Sequence, residues 1–355
     1  MIKNVSQPKT SDLLATDNKK KDMLKRAEKY VENLMFHLFS GGKELKDSSC
    51  LEDEILFLAH QAWDLGKYAG EHEYYEESMK FMSHAASLFQ KIHKGHDSED
   101  LKHVKMCRIL EATSGIERCW KIKNVSEREI FARGVEESIK KCQAILDKSQ
   151  NLSNDEAYPL CLVLRFTSLL FQQNDDANLV HLLSEASSNL GQKSIKILEI
   201  MGHLAMQPGS ERRGVALMAL KESFRQKYIS MIKDWDNFAN SVTKIFQLCS
   251  KLKDIISFCG TVHAMLSEPE IQVRSYPRIH AKWLVSWLWN EGVVFHRQRN
   301  LDAAESLMSK ALQFSKLLFT QFPHEKEFEA SYQYLLNEIN AQKTMKSDHK
   351  LPIDK

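Results

Sequence analysis

Apolar residues recur three and four positions apart along most of the chain, with polar residues between them. From Leu301 to Leu318, the positions Leu301, Ala304, Met308, Ala311, Leu312 and Ser315 fall on one stripe. That spacing belongs to a helix that buries one face. Just before it, Leu284, Leu288, Gly292 and Phe295 form a second stripe, and the polar segment 296–300 separates the two. The pattern predicts a helix, a short turn and a second helix. Residues 160–172 and 177–189 repeat the layout around a polar break at 173–176. Runs in which β-branched residues alternate with polar ones are essentially absent, so strands are not expected. The predicted fold class is all-α.

Two of the predicted hairpins share a register. Counting from Gly292, Ala304 lies 12 residues on, Met308 16 on and Ala311 19 on. Counting from Gly66, the same offsets reach Ser78, Met82 and Ala85. Trp289 precedes Gly292 by three residues and Trp63 precedes Gly66 by three. The segments read Trp63-Asp64-Leu65-Gly66 and Trp289-Asn290-Glu291-Gly292. This is the register of a tetratricopeptide hairpin. Its glycine lies where the first helix crosses the second, small residues sit where the helices touch, and larger apolar residues fill the groove. Phe295 stands three after the glycine, where the repeat takes an aromatic. Two features depart from the ordinary repeat: the tryptophan is three rather than four residues before the glycine, and no proline closes either unit. The middle of the chain matches poorly, so the intervening hairpins read as degenerate. The expected architecture is an α-solenoid of antiparallel helix hairpins, because each hairpin needs neighbours to bury its face. Trp63 and Trp289 are expected to bury their rings between helices, in preference to anchoring a partner peptide.

Composition sharpens this picture at three points. No proline occurs between Pro8 and Pro159, and the chain holds 13 glycines in all, which suits long helices. The seven cysteines, Cys50, Cys107, Cys119, Cys142, Cys161, Cys249 and Cys259, are widely spaced, and none makes a C-x-x-C pair. They read as free thiols of a reducing compartment. Lys and Arg number 49 against 47 Asp and Glu, a net charge of +2, which excludes a strongly basic polyanion binder but not a local basic patch. No secretory signal and no membrane span are expected. Residues 1–24, with Lys19, Lys20 and Lys21 together, read as a flexible basic tail leading into the first helix. Residues 25–345 read as one helical-repeat domain and 346–355 as a frayed tail.

The segment from Lys282 to Gly292, KWLVSWLWNEG, and its following Met-containing helix resemble a late unit of the meiotic crossover-promoting tetratricopeptide proteins. These are the Zip-four-type proteins of yeast and plants and the testis-expressed protein eleven of mammals. The unit Ala62-Trp-Asp-Leu-Gly66 looks like that family's early repeat, and Lys105 to Ala112, KMCRILEA, like the helix after it. The resemblance covers roughly residues 55–320, with sharp motifs only near the two ends, and family members are usually much longer than 355 residues. It implies a nuclear, chromosome-associated scaffold that joins recombination factors to the chromosome axis and the synaptonemal complex, the cytoplasm being the alternative location. It brings no catalytic residues and no cofactor. Its partners would be proteins, not a small-molecule substrate or a membrane.

Other residue groups offer chemistry, each with a plain structural alternative. His93, His96, Asp97 and His103 could offer metal ligands, but Gly95 and the polar run at 97–100 favour a solvated loop. Gly41-Gly42-Lys43 lacks the first glycine, the following Ser/Thr and the preceding strand of a phosphate loop. Cys259 and His263 lie one helical turn apart in apolar surroundings, so a nucleophile pair is disfavoured. Arg212, Arg213, Lys221, Arg225 and Lys227 fall on one helix with Phe224 and Tyr228; of these, Arg213, Lys221 and Arg225 are the candidate phosphate contacts. A solvated face balanced by Glu211 and Glu222 is the favoured reading. Lys140, Lys141, Arg297 and Arg299 make smaller basic clusters. A general tetratricopeptide adaptor, clamping a peptide carboxylate through Asn290, Arg297 and Arg299, is the rival function.

Overall fold

The computed structural model describes residues 10–40, 48–92, 99–146, 155–172, 176–229, 234–268 and 276–348. Among these residues there are fourteen α-helices, a 3-10 turn at Gly191–Lys193 and no strand. The helices are α1 (Thr10–Ser40), α2 (Ser48–Glu71), α3 (Tyr75–Ile92), α4 (Glu99–Lys121), α5 (Val125–Leu146), α6 (Ala157–Leu170) and α7 (Asp176–Asn189). They continue with α8 (Ser194–Leu204), α9 (Arg213–Ile229), α10 (Trp235–Leu248), α11 (Leu252–Leu266), α12 (Arg278–Arg297), α13 (Leu301–Leu318) and α14 (Glu325–Asp348). The all-α class is what the periodicity predicts. Consecutive helices pack on each other in pairs, most extensively α2 with α3, α3 with α4, and α12 with α13.

Local sequence sets these helices in two ways. Each buries one stripe: on α3 the buried positions include Ser78, Phe81, Met82, Ala85 and Phe89, spaced by three and four, while Glu76 and Lys80 turn outward. Starts are capped by short polar side chains. Asn124 accepts from Glu127 N at 3.0 Å before α5, Asp234 from Asn237 N at 3.0 Å before α10, and Asn300 from Ala303 N at 3.3 Å before α13. Each such cap is worth about 1 kcal/mol.

The chain forms two compact units, residues 1–216 and 217–355. Together they span the stretch read as one helical-repeat domain, 25–345. The boundary falls inside α9, so no glycine-, serine- or proline-rich linker marks it in the sequence. In the first unit one core gathers Ala59, Ala62, Phe81, Phe89 and Val104, and another gathers Ala112, Ile116, Val135 and Phe171. In the second unit Phe224, Phe238, Phe246, Phe258, Trp289 and Phe314 share a single core. A fully buried side chain of this size contributes about 1.5–3 kcal/mol by leaving water.

At the termini the helices extend beyond 25 and 345. The stretch 1–24, read as a flexible tail, is helical from Thr10. Leu24 is buried, and the Tyr74 hydroxyl donates to the Asp17 carboxylate, so α1 is docked well before residue 25. Lys19 and Lys20 stay exposed on that helix. At the other end α14 runs on to Asp348, into the stretch read as frayed. Residues 1–9 and 349–355 lie outside the described residues, as do Gly41, Gly42 and Lys43.

Candidate functional site

The two segments singled out by register occupy equivalent places in two hairpins, α2–α3 in the first unit and α12–α13 in the second. Their turns close through the same hydrogen bonds. Tyr74 N donates to Ala69 O at 2.8 Å and Glu73 N to Gly70 O at 3.1 Å; Asn300 N donates to Phe295 O at 3.0 Å and Arg299 N to His296 O at 3.0 Å. The second helix then starts with Ser78 N to Tyr74 O at 2.9 Å in one hairpin and Ala304 N to Asn300 O at 3.0 Å in the other. Seven residues after each glycine the backbone turns left-handed, with φ of 65° at Glu73 and 63° at Arg299. This is a helix end closed by a six-to-one hydrogen bond, of the kind that usually takes glycine at the left-handed position.

The glycines sit where the helices cross. A Cβ built on Gly66 would lie 2.9 Å from Met82 Cε, and one on Gly292 would lie 2.7 Å from Met308 Cγ. Ser78 and Ala304 are the small residues at the contact: Ser78 Oγ donates to Gly66 O at 2.9 Å, and Ala304 O is 3.3 Å from the Gly292 Cβ position. Ala85 and Ala311 are fully buried beyond them. Ala in place of Gly gains about 1 kcal/mol of helix preference, which the overlap must exceed. The Met82 side chain can swing its terminal methyl aside, whereas at Gly292 the inner Met308 Cγ and the Ala304 carbonyl are both in the way. Gly292→Ala is therefore expected to lower stability by about 1–2 kcal/mol, and Gly66→Ala by less, in thermal or urea unfolding followed by circular dichroism.

The tryptophans are placed differently. Trp289 is buried and its ring stacks on Phe328 of α14, centroids 3.9 Å apart and planes within 6°. Trp63 is half-buried, meeting Phe89 edge-on at 6.3 Å and His103 at 5.8 Å. Phe295 is half-buried against the core of the second unit. Trp289 and Met308, with Val293, Tyr334 and Leu335, line a cavity of about 420 Å³ between α12, α13 and α14. At its edge His296 Nε2 is 2.8 Å and Arg299 Nη1 3.1 Å from the Glu338 carboxylate. The histidine contact, helped by Arg299, holds Glu338 below the usual carboxylate range.

The basic positions of α9 are engaged within the protein. Arg225 makes two hydrogen bonds to Glu222, at 2.9 and 2.6 Å. Lys221 Nζ lies over the Phe258 ring at 6.0 Å. Lys227 is buried and donates to Asn237 Oδ1 and Ser241 Oγ. Arg212 pairs with Asp176 and with Gln172 O. Arg213 is exposed at the first turn of α9. Of the suggested metal ligands, His93, His96 and Asp97 lie outside the described residues, while His103 stacks on Phe89 with centroids 4.9 Å apart. Cys259 is fully buried, and burial pushes its thiol up to about 12. A thiol so raised stays protonated at neutral pH, which does not suit a nucleophile.

Three arrangements had no signal in the sequence, because each joins different helices. Glu28 and Glu32, one turn apart on α1, face His84 of α3 with one ligand-type atom of each within 4.8 Å of the others. Lys80 Nζ already holds Glu28 at 2.7 Å, and burial holds His84 below its ordinary value. Arg108 and Glu111, both buried, tie α4 to Ser83 of α3 and Ser138 of α5. Cys142 of α5 and Cys161 of α6 bring their sulfurs to 3.2 Å. Compared with known proteins, the sequence matches no family model and no curated protein.

Proposed function

We propose that the chain is a non-enzymatic scaffold for protein–protein interaction, working in meiotic recombination, crossover formation and chromosome synapsis in the nucleus. The observation that carries this reading is the pair of hairpins that close through the same hydrogen bonds around the two tryptophan–glycine segments. Those are the segments whose residues resemble the crossover-promoting tetratricopeptide family. A helical-repeat protein offers extended surfaces lined by side chains from successive hairpins, and binds partner segments through a few buried anchors. The cleft beside Trp289 and Tyr334, lined by α12, α13 and α14, supports that reading.

The rival adaptor reading draws less support. Arg299 is held by Glu338, so it is not poised to clamp a peptide carboxylate. The nucleic-acid reading is weakened by Arg225, whose guanidinium is turned onto Glu222. The test is affinity purification of the tagged full chain from germ-line and from somatic tissue. Recombination, chromosome-axis or synaptonemal proteins are expected in the germ-line eluate alone. Chaperones in both eluates, without those factors, would move the assignment to a general adaptor.

A further inference from the structure

We infer that Cys142 and Cys161 are an oxidative modification site, a pair that closes a reversible disulfide between α5 and α6 when a small peroxide reaches it. Cys142 belongs to the buried stripe of α5 with Val135, Ile139 and Leu146. Cys161 belongs to the buried face of α6 with Tyr158 and Leu162. The packing of the two helices brings the sulfurs to 3.2 Å. A disulfide spans about 2.0 Å, so the sulfurs need to close by about 1.2 Å. Both thiols are at least nineteen-twentieths buried, 1% and 4% exposed, which bars bulky disulfide reagents and selects a small oxidant.

The surroundings make the two sulfurs unequal. The Cys161 thiol donates to the Cys142 sulfur, and the Lys105 ammonium, ion-paired with Asp155, lies nearby. Both hold Cys142 below the usual thiol value, against the opposing effect of burial. The same hydrogen bond and burial push Cys161 up. Either sulfur of so close a pair can be the attacking thiolate, Cys142 for example. Its sulfur attacks one oxygen of hydrogen peroxide, the O–O bond breaks, and the departing hydroxide takes up a proton to leave as water. The Cys161 sulfur then displaces the hydroxyl of the Cys142 sulfenic acid, and its thiol proton leaves with that oxygen as a second water. Two thiols lose two electrons and the peroxide gains them.

The experiment uses the reduced full-length chain, freed of reductant, treated with hydrogen peroxide under native conditions, alkylated, digested and mapped by mass spectrometry. The expected result is loss of two of the seven thiols, with a cross-linked peptide joining Cys142 to Cys161. Dithiothreitol should restore both thiols, and the oxidised chain should melt at a higher temperature than the reduced one. Cys142→Ser and Cys161→Ser should each abolish the cross-link. The mapping on the wild-type chain decides the matter even if a variant folds poorly. A disulfide between other cysteines, oxidation of Cys142 to sulfinic acid without a cross-link, or thiol loss only after urea is added would overturn the inference.

Discussion

Arg108→Met is expected to destabilise the first unit by about 3–5 kcal/mol, because it leaves a buried carboxylate without its counter-charge. Arg108 and Glu111 are 5% and 6% exposed. Arg108 Nη1 donates to Glu111 Oε2 at 2.7 Å and to Ser83 Oγ at 3.2 Å, and Ser138 Oγ donates to Glu111 Oε1 at 2.8 Å. With the guanidinium gone, Glu111 keeps only one hydroxyl. The double variant Arg108→Met with Glu111→Leu removes both charges and replaces them with apolar volume. It is expected within about 1 kcal/mol of the wild type, since buried ion pairs often break even against hydrophobic packing. Urea denaturation of the four proteins in the cycle gives the coupling. If the single variant unfolds within 1 kcal/mol of the wild type (about one pair's worth at the surface), the charges are not buried as described.

Gly115→Ala is the second large effect, with an expected loss of about 2 kcal/mol. A Cβ at Gly115 would stand 2.3 Å from Val135 Cγ2 and 3.1 Å from Met79 Cε. Carbon atoms pack at about 3.5–4.0 Å, so α4 and α5 would have to part by about 1 Å. Valine is stiff about χ1 and cannot swing its methyl away cheaply. The cost must also overcome the roughly 1 kcal/mol by which Ala outranks Gly in a helix. Gly134, one residue before Val135, meets nothing within 4 Å. Gly134→Ala is therefore expected to stabilise the protein by about 1 kcal/mol. The two substitutions make the same chemical change and should move thermal unfolding in opposite directions. In a Val135→Ala background the Gly115→Ala penalty should largely vanish. Equal effects at the two glycines would mean that the α4–α5 crossing is looser than the 2.3 Å approach to Val135 requires.

The register of the α2–α3 and α12–α13 hairpins was legible in the sequence and that of the α4–α5 crossing was not, for a physical reason visible at Gly115. Gly66 meets Met82 and Gly292 meets Met308 at an offset of 16, whereas Gly115 meets Val135 at an offset of 20, about one helical turn further along. A scan at fixed spacing passes over it. The turns hide in a similar way. Glycine is the residue that signals a left-handed helix end, and here Glu73 and Arg299 take that conformation instead. The basic residues of α9 were visible as a cluster, but Lys227 lies buried against Asn237 and Ser241 and Arg225 turns onto Glu222.

By itself the sequence determined that the chain is helical, where the hairpins α6–α7 and α12–α13 lie, and that two distant hairpins share one register. Those facts follow from a backbone period of 3.6 residues and from side chains a turn apart, both local properties of the chain. Tertiary structure alone decided that α1 docks from Asp17 onward and that the chain divides within α9. It also decided that a guanidinium is buried with Glu111 and that two sulfurs 19 positions apart meet. Such outcomes depend on how neighbouring helices settle against each other's side chains, and no spacing along a single helix encodes them.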